Sequence, residues 1–142
     1  MGTIRLTIPG RLDRIQDVTT RVGEAAHNAG FDDRESYVSE LAVAEACENI
    51  IKHGYGAEDL GTIQVAIHTS PGHLIIDLED HGPPFNPAVE PETREWTPDD
   101  PPVGGLGLLI IHRAMDKVRY TRTRSGNRLR LEKSIQPRDP SA

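Results

Sequence analysis

The sequence predicts an α/β two-layer sandwich of the α+β kind, with about five mostly antiparallel strands covered on one face by three helices. Three observations carry this. Apolar and polar residues alternate in short runs at Ile4, Leu6 and Ile8, at Ile63, Val65 and Ile67, and at Leu74, Ile76 and Leu78, the period of a strand. Helix-period stretches separate the first two runs and recur after residue 104. The last run sets Leu129 and Leu131 against Arg128, Arg130 and Glu132, so one sheet face is wet, as in an antiparallel sheet covered on one side only.

Taken in order, the first strand ends at Pro9-Gly10. Leu12, Ile15, Val22, Ala26 and Ala29 follow helical spacing, with Gly30 as the stop. A second helix is expected from about Asp32 to His53, with Asp32 or Asp33 as N-cap and Gly54 at its end. The next two runs form a hairpin across Pro71-Gly72. From Pro83 to Pro102 lie seven of the 11 prolines together with Glu90, Glu92, Glu95, Asp99 and Asp100; a stretch this long and proline-rich suits a lid or a disordered segment. Gly104-Gly105-Leu106-Gly107 then opens an apolar helix through about Met115. Val118 and Tyr120 start a fourth strand, Ser125-Gly126 turns it, and Leu129, Leu131 and Ile135 form a fifth. The expected organisation is one domain over 1–135 with a lid at 83–103, and a disordered tail at 136–142.

At 142 residues the chain suits one core. Its formal net charge of −6 argues against a general electrostatic hold on nucleic acid or an anionic membrane. No apolar run approaches the roughly 20 residues of a membrane-spanning helix, and Met1–Pro9 alternates like a strand rather than carrying a signal-peptide block. The single cysteine, Cys47, lies on the core stripe of the second helix and suits a buried small hydrophobe better than a reactive thiol. A cytoplasmic location is the default expectation.

Three features break the pattern. Glu45 and Asn49 are four apart on one helix face; they mark either a solvated helix end or a site where Asn49 lends an oxygen to magnesium and Glu45 deprotonates a hydroxyl. Asp80 shares the parity of Leu74, Ile76 and Leu78, so its carboxylate points to the core side, where it needs a partner. It either caps the turn at Gly82-Pro83 or accepts the exocyclic amine of adenine, with Gly82 permitting close approach. The glycines at 104, 105 and 107 open a helix whose free N–H groups and dipole favour phosphate, without the Gly-Lys-Ser/Thr of a Walker A loop. His53 either assists the site or follows the preference of helix C-termini for histidine. Arg122, Arg124, Arg128 and Arg130 read as an exposed strand face, or as a partner-docking surface.

In order along the chain, these features resemble the boxes of the GHKL ATPase family. Glu45-Ala46-Cys47-Glu48-Asn49 through His53-Gly54-Tyr55 looks like the N box, Asp80-His81-Gly82-Pro83-Pro84-Phe85 like the first glycine box, and Gly104-Gly105-Leu106-Gly107-Leu108 like the second. Within the family the chain is similar to stand-alone bacterial anti-sigma factor serine kinases, over nearly its whole length. Pro84 stands where many members carry a second glycine, which stiffens the root of the lid. The resemblance implies a Bergerat-type ATP-binding fold with ATP and Mg2+ as cofactors, Asn49 as magnesium ligand, Glu45 as catalytic carboxylate, Asp80 as adenine contact, and Gly105 and Gly107 at the phosphates. The nucleotide-binding set expected from the boxes is Asn49, His53, Asp80, Gly82, Phe85, Gly104, Gly105, Leu106, Gly107 and Leu108. It further implies a kinase that phosphorylates a serine of a small anti-sigma factor antagonist and, as a homodimer, holds a sigma factor inactive. The alternative is a non-catalytic, ATP-gated switch that grips a partner. A histidine-kinase fragment fits less well, and a degenerate fold that binds no nucleotide is testable through Trp96, the only tryptophan, which lies in the lid stretch.

Overall fold

The computed structural model describes residues 2–84 and 105–135. The lid and tail assigned from sequence fall for the most part outside those residues. Strands β1 (Gly2–Pro9), β2 (Thr62–Ser70), β3 (His73–Asp80), β4 (Lys117–Arg122) and β5 (Asn127–Ser134) form one sheet in the order β1-β2-β3-β5-β4. Every pairing is antiparallel. Helices α1 (Ile15–Asn28), α2 (Asp33–Asn49) and α3 (Gly105–Ala114) supply the second layer.

The alternation read in the sequence places side chains in rows across the sheet. Ile4, Ile67, Ile76, Leu131 and Val118 are in register, as are Leu6, Val65, Leu78, Leu129 and Tyr120. With Ile8 and Ile63, they give the helices an apolar floor whose central members are fully buried. The covered side turns polar at both ends. At one end Asp80, Asn127 and Arg122 share a row. At the other, buried Lys133 donates through Nζ to the carbonyl of Ala114 at 2.6 Å and pairs with Glu35 at 2.6 Å. That one ammonium ties the end of α3 to the first turn of α2.

Asp32 caps α2, its Oδ1 accepting the Glu35 N–H at 2.7 Å. Gly30 and Gly72 take the positive φ that their turns require, 102° and 76°. The end of the second helix differs from the expectation. The chain does not stop at Gly54: it widens into a π-helical segment, Ile50–Tyr55, closed by a bond from the N–H of Gly56 to the carbonyl of Ile51. Gly56, at φ 92°, is the left-handed terminator, and Gly54 is buried. The burial of α2 differs too. Ala42 is fully buried although it stands next to exposed Leu41, and Ser36, Ser39 and Ala46 are buried with it. α2 is the middle helix, flanked by α1 and α3, and small residues let its neighbours approach.

Candidate nucleotide site

The end of the covered sheet face, the π-helical segment and the start of α3 meet at one place. Asp80 closes β3 with its side chain on the core side and is 6% exposed. Its Oδ1 accepts two hydrogen bonds, from the Gly82 N–H at 2.8 Å and from Asn127 Nδ2 at 2.9 Å. The turn-capping and ligand-binding readings of Asp80 are therefore compatible, because both of these bonds fall on one oxygen.

Asn127 is the hub of this corner. Besides Asp80, its amide donates to the carbonyls of Gly82 at 3.3 Å and Pro83 at 2.9 Å, and its carbonyl oxygen accepts from the hydroxyl of Tyr120 and from Arg122. Arg122 also reaches the Gly82 carbonyl at 3.0 Å. On the other flank, Tyr55 takes the His81 N–H at 2.9 Å and donates to the Thr62 carbonyl at 2.6 Å. Burial pushes the Tyr55 pKa up against the opposing pull of the His81 N–H, so the hydroxyl keeps the proton it donates. Gly61 lies so close that a Cβ there would overlap the Tyr55 ring.

The sequence reading missed Asn127, Tyr55 and Tyr120 as site residues, and placed Arg122 on the exposed strand face with Arg128 and Arg130. Strand parity separates them: Arg122 is in register with Asn127, on the covered side, whereas Arg128 and Arg130 pair with Glu79 and Asp77 on the open side.

The helical residues converge from above. A Cβ on Gly82 would lie 3.5 Å from the backbone of Gly54, and one on Gly107 would lie 2.5 Å from Glu45 Oε2. The segments compared to the N box and the first glycine box are thus in contact through Gly54, and the N box and second glycine segment through Glu45. Asn49 is 7% exposed, and its side chain makes no capping bond to the turn that follows. Burial, then the charge of Glu48, raise the Glu45 pKa from its ordinary value, and Lys52 partly opposes them. Gly105 and Leu106 lie in the first turn of α3. Leu108 is buried, leaving its backbone N–H as the group it can offer. His53 is exposed on the π-helical segment. Phe85 and Gly104 lie outside the described residues. Cys47 is wholly buried, its pKa pushed up to about 12, so it stays a protonated core residue.

Among the described residues, no three His, Cys, Asp or Glu side chains are grouped to hold a metal. The oxygens present, the buried Asn49 amide and the Glu45 carboxylate one turn away, suit an ion that takes one or two protein ligands and finds the rest in phosphate and water.

The family model for the histidine kinase-like ATPase domain matches residues 8–133, and the chain belongs to that family. Its enzyme class is that of the protein serine kinases. The chain is 31% identical to the serine-protein kinase RsbW of Halalkalibacterium halodurans over 94% of its own length and 84% of that protein's. It is 32% identical to RsbW of Bacillus licheniformis, over 84% of this chain and 69% of that one. In structure it is similar to the RsbU and RsbW domains of Rv1364c from Mycobacterium tuberculosis, with a TM-score of 0.65, 18% identity, and coverage of 96% of this chain and about a third (34%) of that longer one. The catalytic domain of the histidine kinase ThkA shares the fold at TM-score 0.54 and 15% identity, over 96% of this chain and 99% of that one.

Proposed function

We propose that this chain transfers the γ-phosphoryl group of ATP to a serine of a small anti-sigma factor antagonist and that, as a homodimer in the cytoplasm, it sequesters a sigma factor. The observation that supports the reading best is the packing of Gly107 against the Glu45 carboxylate, which sets the start of a glycine-opened helix beside a candidate base. Asp80, with Oδ1 pinned by Gly82 and Asn127, directs Oδ2 to the exocyclic amine of adenine. The N–H groups from Gly105 to Leu108 at the start of α3 stabilise the phosphates. Asn49 and the phosphate oxygens would hold magnesium, which neutralises phosphate charge.

The serine Oγ forms a new bond to the γ-phosphorus as the bond to the β–γ bridging oxygen breaks. ADP departs, and the serine proton passes to Glu45. Such transfer works mainly through positioning and charge neutralisation. A raised Glu45 pKa brings the base nearer to working pH.

The test is transfer of labelled phosphate from magnesium-ATP to each antagonist candidate of the same genome. Glu45→Gln is expected to slow transfer about 10²–10⁴-fold while leaving ATP binding intact; an unchanged rate would remove Glu45 from the mechanism. ATP-dependent partner affinity without transfer would select the switch instead. Because Glu48 raises the Glu45 pKa, Glu48→Gln should move the acid limb of the pH–rate profile to lower pH.

A further inference from the structure

Helix α2 leaves two large apolar side chains in solvent, Tyr37 at 60% and Leu41 at 37% exposure. Scattered exposed apolar residues are ordinary, but these two are four apart and stack on one helix face, and Glu45 follows at the same step. The stripe ends in the ion pair between Glu48 and Lys52. α1 and α3 flank α2 and still leave this stripe open. A helix rise of 1.5 Å per residue puts Leu41 about 6 Å and Tyr37 about 12 Å from Glu45 along the axis.

We propose that Tyr37 and Leu41 form a docking strip for the protein substrate, an inference that rests on the kinase reading above. A serine hydroxyl must come within hydrogen-bond reach of Glu45 to lose its proton. The protein that carries it then has to cover the α2 surface beside Glu45, and that surface is apolar on one side and an ion pair on the other. The occupant must also leave after each turnover, because Glu45 has to be reached again. A permanently seated second copy would block it. The substrate is therefore a protein that presents apolar side chains about 6 and 12 Å from its acceptor serine, matching the spacing of the strip. Tyrosine is a residue type that dominates such contacts.

The experiment uses the full chain, magnesium-ATP and the antagonist protein that the wild type phosphorylates. The double variant Tyr37→Ser with Leu41→Ser should raise KM for that protein roughly tenfold or more, the scale of a lost interface anchor. Its ATP affinity and its kcat at saturating substrate should stay within about twofold, because both side chains lie outside the nucleotide site. Tyr37→Phe should retain the wild-type KM. Leu12→Ser, at an exposed apolar residue away from the strip (40%), should leave KM unchanged and so exclude a general effect of surface polarity. An unchanged KM in the double variant overturns the proposal, as does a change in oligomeric state with KM preserved, which would assign the strip to a second copy. Absence of transfer by the wild type removes the kinase reading and the strip's role with it; transfer with unaltered KM removes the strip alone.

Discussion

Asn127 illustrates how one side chain can organise a corner that several segments share. It is 3% exposed, and its amide spends donors on Asp80, Gly82 and Pro83 while its oxygen accepts from Tyr120 and Arg122. Removing it takes the donor from the Pro83 carbonyl and the acceptor from the Tyr120 hydroxyl, and leaves Asp80 Oδ1 with the Gly82 N–H alone and the Gly82 carbonyl with Arg122 alone. Asn127→Ala should therefore cost about 1–3 kcal/mol, the penalty for buried polar groups left without partners, measured by urea denaturation. It should also weaken ATP binding, because Asp80 is freed to turn. Asp80 could be found from sequence because its parity joins a long apolar run. Asn127 has the same parity relative to Leu129 and Leu131 and could have been found in the same way, had the last strand been extended back to the turn. Tyr55 carried no such signal: its partners Thr62 and His81 lie 7 and 26 residues away, and only the fold brings them to its hydroxyl.

The elements themselves were largely legible, because a half-buried strand and a helix impose different periods on the same residues. Where the reading failed was α2. A helix packed on two flanks as well as on the sheet has no clean stripe, so Ala42, which by spacing falls on the face opposite the core with Val38 and Leu41, is buried instead. The glycines were also ambiguous. Gly54 and Gly56 both suit a helix stop by residue type, but of the two only Gly56 adopts the left-handed backbone. The β4–β5 turn carries a sharper constraint. A Cβ on Gly126 would overlap the Asp80 carbonyl, which is backbone and cannot swing aside. Gly126→Ala should destabilise the domain by about 1–3 kcal/mol, as overpacking does, read as a lower urea midpoint. The same change at Gly2, with nothing near its Cβ, should leave that midpoint unmoved.

At the scale of the whole molecule the sheet divides two chemistries. On its open face Arg130 grips Asp77 with two bonds, 2.8 and 3.0 Å, and His68 approaches the same carboxylate at 3.3 Å. Burial pushes the Asp77 pKa up, but the Arg130 bonds and charge, aided by His68, more than offset it and hold the group below its ordinary value. A carboxylate depressed in the folded state stabilises it above the unfolded pKa near 4, and that stabilisation is lost as pH falls through the folded value. Arg130→Met should then lower stability by about 1 kcal/mol at neutral pH, given how exposed the guanidinium is. The gap from wild type should close in thermal melts taken below about pH 4. Among the described residues no helix is long and apolar enough to cross a membrane. The π-helical segment links this sheet to the helical layer, and its width has a consequence for chain length. Relative to a regular helix it holds surplus residue per turn, so it acts as a phase shift of about 100° for everything downstream. Deleting one residue between 50 and 55 would restore ordinary winding, yet it would swing the Tyr55 ring off Gly61 and carry its hydroxyl away from both strands. A deletion in the exposed stretch from 57 to 60 would cost the surface bonds made there, from the Leu12 N–H to Glu58 and from the Asp59 N–H to the Gly10 carbonyl, and leave Tyr55 on its winding. Natural length variation is expected there sooner than between 50 and 55.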